Sequence, residues 1–228
     1  MNSLLLSVKA GSAEVYVGKI SRLLSCDDDP LLGEARKLFS NAKRQREWAA
    51  SRALVRAVKG RAIPITYDAG GRPCIEGGYI SISHSGDYVA VALSGRGCVG
   101  VDVQVPHPHL LRLEPRICNS RERATLSPDP KVRAEQLLTV WSLKESYYKA
   151  STLEFFDVQG ITVGNGQVEP PSVPPVGGRK PPPTPPVGEG LISDAHYSLF
   201  TVHYSLSEAQ RGWVWRCGEF VLTLVEWR

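Results

Sequence analysis

Apolar residues recur at helical spacing in two long stretches of this chain that contain neither glycine nor proline. The first stretch, residues 34–59, predicts one helix, or two helices broken near Ser40. The second stretch, residues 132–150, predicts another long helix. The apolar positions are Ala50, Ala53, Leu54, Ala57 and Val58 in the first stretch and Leu137, Leu138, Trp141 and Tyr148 in the second.

The period of the pattern changes to two from Tyr79 onward, where apolar and polar residues alternate in short runs separated by turn residues. The runs YISIS (79–83), YVAVALS (88–94) and CVGVDVQV (98–105) predict a three-stranded antiparallel meander. In the third run the valines share one face, which leaves Gly100, Asp102 and Gln104 on the other face. A strand carboxylate is therefore expected beside a glycine.

A segment rich in proline and glycine, residues 164–190, separates these elements from three later strand-like runs. It holds nine of the 17 prolines, which exclude a helix or an interior strand and favour extended polyproline II backbone. We interpret it as a loop insertion. The P-x-x-P pattern from Pro171 to Pro174 leaves a docking site for an SH3-like partner as a less favoured alternative. The strand-like runs that follow are residues 196–205, 212–217 and 219–227.

Composition narrows the class of protein. The 228 residues are 42% hydrophobic and 22% charged, which suits a folded chain with a buried core. A net charge of +4 leaves phosphate-sized ligands open but is too small for a dedicated nucleic-acid binder. No apolar run approaches the roughly 20 residues of a membrane span. The five cysteines are widely spaced with no C-x-x-C pair, and the opening residues do not resemble a secretory signal, so we expect reduced thiols and a cytoplasmic location.

Asp102, Glu145 and Lys149 form the strongest candidate for chemistry. Asp102 is predicted on a strand, and Glu145 and Lys149 lie one turn apart on a helix. Two carboxylates are suitable ligands for Mg²⁺, and a lysine suits a phosphate leaving group. The ordinary alternative is that Glu145 and Lys149 form only a surface ion pair on the helix.

Other polar residues are candidates for binding phosphates. Arg52, Arg72, Ser83 and His84 together could surround an anionic ligand that carries several phosphates. Each has an ordinary alternative as well. Arg52 shares a helix face with Arg56 and Lys59 that is typical of a solvated surface, and a single histidine before a turn is more often structural than catalytic.

These residues lie in segments that resemble the 4′-phosphopantetheinyl transferases of the Sfp type. GVDVQ at 100–104 and WSLKESYYKA at 141–150 resemble the two signature motifs of that family. GGRPCI at 70–75, SISHSGDYVAVAL at 81–93 and the helix sequence at 37–56 resemble further family segments in the same order. The resemblance covers residues 34–150, whereas the last third of the chain is similar only in length and strand content.

The resemblance implies transfer of the 4′-phosphopantetheine arm of coenzyme A to a serine of an apo acyl carrier protein or carrier domain, with Mg²⁺. It implies an α+β fold of two similar halves related by a pseudo-twofold axis, each a helix on a small antiparallel sheet. We divide the chain accordingly into residues 1–104 and 105–228, with the loop insertion in the second half. We expect a monomer that binds neither nucleic acid nor membrane.

The family's functional residues are carried over by position. Asp102 and Glu145 would hold Mg²⁺ and act with Lys149 in catalysis, and Glu145 is the candidate base, directly or through a water molecule. Gln104 is the candidate third ligand, where many relatives have an acid. The family's glycine-containing turn after the helix is also missing, since Ala150 leads to STLEFFDVQG. The residues implied to bind coenzyme A are Arg36, Arg52, Arg72, Ser83, His84 and Lys149, with Lys37 as an alternative to Arg36.

Two other classes of function remain. The first is a non-catalytic module on the same fold that binds coenzyme A or a carrier protein, which the missing acid at position 104 would allow. The retention of Asp102, Glu145 and Lys149 favours an enzyme over this module, because binding alone would not require all three. The second is an RNA-binding protein that uses the Arg52 face, which the modest charge and the lack of an aromatic-rich sheet disfavour.

Overall fold

The computed structural model describes residues 4–24, 26, 29–151, 153, 155–164, 167–169, 200–207 and 210–227. The first sheet contains β1 (Leu4–Ala10), β2 (Ala13–Lys19), β3 (Thr66–Tyr67), β4 (Pro73–Ile75), β5 (Gly78–Ser85) and β6 (Tyr88–Ser94). The second contains β7 (Val99–Gln104), β8 (Thr162–Gly164), β9 (Gln167–Glu169), β10 (Phe200–Ser207), β11 (Gln210–Cys217) and β12 (Phe220–Trp227). The helices are α1 (Ile20–Leu23), α2 (Pro30–Leu38), α3 (Ala42–Lys59), α4 (Leu110–Ile117), α5 (Ser120–Thr125) and α6 (Pro130–Ala150).

The two sheets and their helices confirm the predicted α+β fold class. The strand order is β1-β2-β6-β5-β4-β3 in one sheet and β7-β12-β11-β10-β9-β8 in the other. All neighbouring strands are antiparallel except β9 and β10, which form a parallel bridge. Among the described residues, no helix has both the length and the apolar character needed to cross a membrane.

Both predicted helical regions are helical, and the break near Ser40 is confirmed. α2 ends at Leu38, and the side chain of Asn41 caps the start of α3 by accepting a hydrogen bond from the Arg44 amide at 3.0 Å. α3 stops at Gly60, whose φ of 68° suits a residue without a Cβ. The Asp129 side chain caps α6, which begins with a proline.

The predicted meander is correct for its first two strands and wrong for the third. β5 and β6 pair with each other, but β7 pairs with β12, with Asp102 opposite Thr223. The pattern of the β7 sequence predicts a strand without naming its neighbour, because alternation records which faces are buried rather than which edge is paired. β7 thus belongs to the second sheet by hydrogen bonding, and the division of the chain at residue 104 remains a prediction.

The free edge of β7 is bound to the first sheet by serine side chains. Successive inward residues of β5 are serines, and their hydroxyl oxygens accept hydrogen bonds from alternate backbone amides of β7 and of Val105, which follows it. For these three amides, side-chain oxygens take the place of the carbonyls of a neighbouring strand. We call these contacts the serine ladder, and its pairs are Ser81 with Val101 at 3.0 Å, Ser83 with Val103 at 3.2 Å and Ser85 with Val105 at 3.1 Å.

The face of β7 that carries Gly100 is covered by α6 at very short range. A Cβ on Gly100 would lie 1.9 Å from the backbone oxygen of Ser146 and 2.6 Å from the nitrogen of Ala150. The side chain of Thr223 on β12 donates to the Ser142 carbonyl at 2.9 Å, which fixes the helix against the same sheet. The glycine beside Asp102 therefore serves close packing of the helix and the strand.

Several elements were not predicted from the sequence. β1, β2, α4 and α5 lie in regions where the pattern of apolar positions gave no prediction, and α4 contains Pro115. The predicted loop insertion at 164–190 is corrected at its beginning, because Gly164 ends β8 and residues 167–169 form β9. Its residues 170–190, with all nine prolines, lie outside the described residues, as does the start of the strand-like run at 196–205.

Replacing Gly100 with alanine tests the close packing of α6 on β7. The added methyl group must displace helix backbone, so we expect Gly100→Ala to lower the free energy of unfolding by about 3 kcal/mol, the upper part of the range for overpacking. The matched control is Gly33→Ala on α2, where a Cβ would meet nothing within 4 Å. That variant should be neutral or stabilised by up to about 1 kcal/mol. Urea denaturation of the three proteins measures both effects, and equal stabilities would contradict the packing described.

Candidate active site

Asp102 is almost fully buried on β7 and is surrounded by hydrogen-bond donors. Its Oδ1 accepts from the Ser83 hydroxyl at 2.7 Å and from Lys149 Nζ at 2.8 Å. Its Oδ2 accepts from the side-chain amide of Gln104 at 2.9 Å. A buried carboxylate stays ionised only with such partners, because burial removes its hydration. The strand and the helix motif predicted to act together therefore meet at this side chain.

Lys149 and Glu145 lie on the last two turns of α6, and Lys149 contacts Asp102 on β7. Lys149 Nζ also donates to the carbonyl of Val101 at 3.2 Å, so the ammonium bridges the helix and β7. Glu145 lies one turn earlier and is half-buried. Burial raises the pKa of Glu145, the Lys149 charge lowers it, and the Asp102 charge raises it. The charges of Lys149 and Asp102 both act on Glu145. A surface ion pair of Glu145 and Lys149 alone therefore does not describe the site, because Lys149 also contacts Asp102.

The donor set at this point suits a divalent cation with oxygen ligands. Asp102 and Glu145 supply two carboxylates, and carboxylate oxygens are ligands that divalent cations such as Mg²⁺ bind. No cluster of three or more histidine, cysteine or acidic side chains suited to a metal occurs in the described parts of the chain. A metal here would rely on two acidic ligands, water and the amide oxygen of Gln104. At present the Gln104 amide nitrogen faces Asp102, and its oxygen lies 3.5 Å from the Ser85 hydroxyl.

His84 and Glu47 form a pair at the end of β5. His84 Nδ1 lies 3.2 Å from Oε1 of Glu47, a buried acid on α3 that also lies 3.6 Å from Lys43 Nζ. Burial lowers the pKa of His84, the Glu47 charge raises it, and the charges of Lys149 and Lys43 lower it. The charge of Lys149 therefore acts on His84. The neighbouring Ser83 hydroxyl already donates to Asp102.

Two of the three arginines predicted to bind coenzyme A, Arg52 and Arg72, make hydrogen bonds to backbone carbonyls. The Arg52 guanidinium lies 3.7 Å from the centroid of the Trp48 ring and donates to the carbonyl of Ile65 at 3.4 Å. Arg52 is therefore not the solvated cation of the ordinary interpretation, although Arg56 on the same helix is exposed. Arg72 donates to the carbonyls of Ser151 and Leu153, the latter at 2.8 Å. Arg36 is exposed in the last turn of α2.

Sequence reasoning missed two residues that organise this site. Glu47, which holds His84, is one of many charged residues on α3 and carries no pattern of its own. Lys144 is fully buried beside Glu145 in the sequence, and its ammonium donates to Glu122 at 2.7 Å and to the carbonyls of Ile117 and Val158 at 2.8 Å each. All three of its donors are used, so Lys144 anchors α6 and leaves Glu145 facing the strand. The available signal was that Lys144, a charged residue, lies between the apolar positions Trp141 and Tyr148 of the helix pattern.

Substituting the partners of His84 tests the pair at the end of β5. In Glu47→Gln the negative charge that raises the pKa of His84 is removed, so that pKa should fall below its wild-type value. Lys43→Met is the matched control of opposite sign, because it removes a charge that lowers the same pKa. NMR titration of the His84 ring protons measures both shifts. Shifts in the same direction would contradict the arrangement.

Gln104→Glu tests whether residue 104 belongs to a cation site. Without Mg²⁺ the new carboxylate faces Asp102 and the amide donor is lost, so stability should fall by about 1.5–3 kcal/mol. Saturating Mg²⁺ should restore most of this loss, since a ligand stabilises the state that binds it. Gln104→Ala, which removes the donor without adding charge, is the control for the Mg²⁺ response. Melting temperatures with and without MgCl₂ that respond equally in both variants would place residue 104 outside the ligand set.

Comparison with known proteins places these residues in a recognisable context. Residues 98–184 match the family model described as the 4′-phosphopantetheinyl transferase superfamily. The chain is 27% identical over 143 residues to the 4′-phosphopantetheinyl transferase AcpT of Salmonella typhimurium, covering 60% of this chain and 72% of the relative. AcpT of Escherichia coli is 28% identical over 141 residues, covering 59% and 71%. In Synechocystis sp., slr0495, provisionally named a 4′-phosphopantetheinyl transferase, is 34% identical over 95 residues, which is 40% of this chain but only 36% of the relative.

Proposed function

We propose that this chain is a 4′-phosphopantetheinyl transferase, which transfers the 4′-phosphopantetheine group of coenzyme A to a serine of an apo carrier protein, because residues 98–184 match that superfamily and the chain is similar to AcpT. The acceptor would be an acyl carrier protein or a carrier domain, and adenosine 3′,5′-bisphosphate would be released. The observation that carries the proposal is the contact of Lys149 with Asp102 at 2.8 Å, beside Glu145. It joins the two signature segments into one site that holds two carboxylates and a cation.

The proposed metal ligands are the side chains that already surround this contact. Asp102 and Glu145 would hold Mg²⁺, with Gln104 as the third ligand after its amide turns over. When bound, Mg²⁺ would offset the negative charge of the pyrophosphate and stabilise the departing phosphate oxygen. The buried position of Asp102 supports this role, since it limits the side chain to one orientation.

The reaction requires a base and a stabiliser of the leaving group. The serine oxygen forms a bond to the phosphorus that carries the pantetheine arm, and the bond from that phosphorus to the bridging oxygen breaks. The serine proton passes to Glu145, directly or through a water molecule, and the electron pair of the broken bond remains on the bisphosphate. Lys149 would donate a hydrogen bond to that oxygen, since its ammonium carries three donors and only two of them are used by Asp102 and the Val101 carbonyl.

The phosphates of coenzyme A have a proposed set of partners with unequal support. His84 is proposed from its position, since its ring is exposed at the end of β5 with Nδ1 3.2 Å from Glu47 Oε1. Lys149 has a second role here, and exposed Arg36 is proposed for the 3′-phosphate. Ser83 and Arg52 would need to exchange their present partners for a phosphate. We further propose that the enzyme is a cytoplasmic monomer.

Loss of one carboxylate at a time tests the catalytic assignment. Asp102→Asn and Glu145→Gln each remove a negative charge with little change in volume, so both should fold and lose about a hundredfold or more of the transfer rate. Glu76→Gln, in an exposed turn between β4 and β5, is the control and should retain the wild-type rate. Intact-mass analysis of apo carrier proteins incubated with coenzyme A and Mg²⁺ measures the rate.

The same experiment separates the enzyme from a binding module. A wild-type protein that binds coenzyme A by calorimetry, yet adds no phosphopantetheine mass to a panel of fatty-acid, polyketide and peptide-synthetase carriers, would support the non-catalytic module. Full activity in Glu145→Gln would instead remove Glu145 from the reaction while leaving the transferase assignment in place.

A further inference from the structure

Arg72 is held in a fixed direction by the turn that precedes β4. The Asp68 carboxylate accepts from the Arg72 amide at 2.9 Å, and the Asp68 amide donates to the Arg72 carbonyl at 3.0 Å. Gly71 adopts a φ of 77°, a backbone conformation that residues with a Cβ rarely adopt. The turn is therefore closed by its own backbone and one carboxylate, so the arginine leaves it in a single direction.

That direction leads across to the chain just beyond α6. The two terminal nitrogens of the Arg72 guanidinium donate to the carbonyls of Ser151 and Leu153, the second at 2.8 Å. The same guanidinium lies 5.5 Å from the centroid of the Tyr148 ring on the last turn of the helix. A part of the first sheet thus holds the end of the helix that carries Lys149.

The end of α6 is closed in part by Ser151, whose amide and hydroxyl donate to the carbonyls of Tyr147 and Tyr148, and this leaves the carbonyls beyond the helix to other donors. The last carbonyls of a helix lack partners within it, and roughly a third to a half of helices satisfy them at a residue in the left-handed conformation, usually glycine. Here Ser151 is extended, with φ −81° and ψ 169°, so the chain leaves the helix without that motif. Arg72 supplies donors and a positive charge where the helix dipole is negative.

The segment that follows packs back onto the same helix face. The ring of Phe156 stacks on Tyr148, with centroids 5.0 Å apart, and lies 5.8 Å from the Trp141 ring. The carbonyls bound by Arg72 belong to the connection that leads from the helix to this ring. Contacts on both sides hold this connection, and Lys149 lies only two residues before Ser151.

We propose that Arg72 is a positioning residue, which clamps the end of α6 so that Lys149 stays against the Asp102 strand, and that it does not bind phosphate. The role depends on the shape of the guanidinium, whose planar fork reaches two carbonyls at once. A lysine at this position would keep the charge but reach one carbonyl. Its part in catalysis rests on the proposed transferase function, whereas the clamp itself does not.

The experiment compares Arg72→Lys and Arg72→Gln in the full chain, with exposed Arg61→Gln as the control. Hydrogen–deuterium exchange of peptides covering residues 146–157 measures the clamp without any substrate. Both Arg72 variants should exchange about tenfold faster there, while the control matches the wild type. In carrier modification, both should lower kcat about tenfold with the KM for coenzyme A changed less than about twofold.

A phosphate ligand would behave differently in both measurements. If Arg72→Lys keeps the wild-type exchange and kcat, and Arg72→Gln raises the KM for coenzyme A, the clamp is overturned and Arg72 is a binding residue. If the wild-type protein modifies no carrier, the proposed function fails alone, and the exchange rates still decide whether the clamp exists. Far-ultraviolet circular dichroism confirms that the compared variants are folded.

Discussion

The serine ladder between β5 and β7 is the contact on which the arrangement of the site depends. β7 has one edge paired with β12, and without the hydroxyls of β5 its other edge would leave a row of buried amides without partners. A buried amide without a partner costs about 1–3 kcal/mol. The ladder removes that cost and brings the two sheets to hydrogen-bonding distance. Ser83 then has its proton left for Asp102, so the contact that joins the sheets also orders the carboxylate.

Two ion pairs stabilise the site: one contains Asp102, and the other anchors the helix that contacts Asp102. Asp102 is buried and held by Lys149, Ser83 and Gln104, and the helix that carries Lys149 is anchored in turn by the buried pair of Lys144 and Glu122. One face of α6 thus uses a lysine purely to fix the helix, while a neighbouring face uses another lysine at the candidate centre. Two lysines five positions apart thus differ in role: Lys144 anchors the helix, and Lys149 contacts Asp102.

The sequence predicted the long helices, the break near Ser40 and the residues that meet at Asp102, because helical spacing and local motifs record which side chains share a face. It did not predict that β7 pairs with β12, since strand pairing across distant residues leaves no local trace. It also assigned Arg72 and Arg52 to phosphate binding, from their charge and from the family resemblance. Both side chains contact carbonyls and rings that only the folded chain brings near them, so composition and spacing could not reveal these partners.

The pairing of β7 with β12 has a consequence for the order in which the protein is made. Residues 99–104 pair with residues 221–226, more than a hundred positions later in the chain. On the ribosome, at about 5–20 residues per second, the strand that carries Asp102 emerges several seconds before its hydrogen-bonded neighbour. During that interval the first sheet can be complete, and its serines can receive β7 on one edge only. The candidate site is therefore assembled late in biosynthesis, and in a chain interrupted before β12 the edge of β7 that pairs with β12 would have no partner strand.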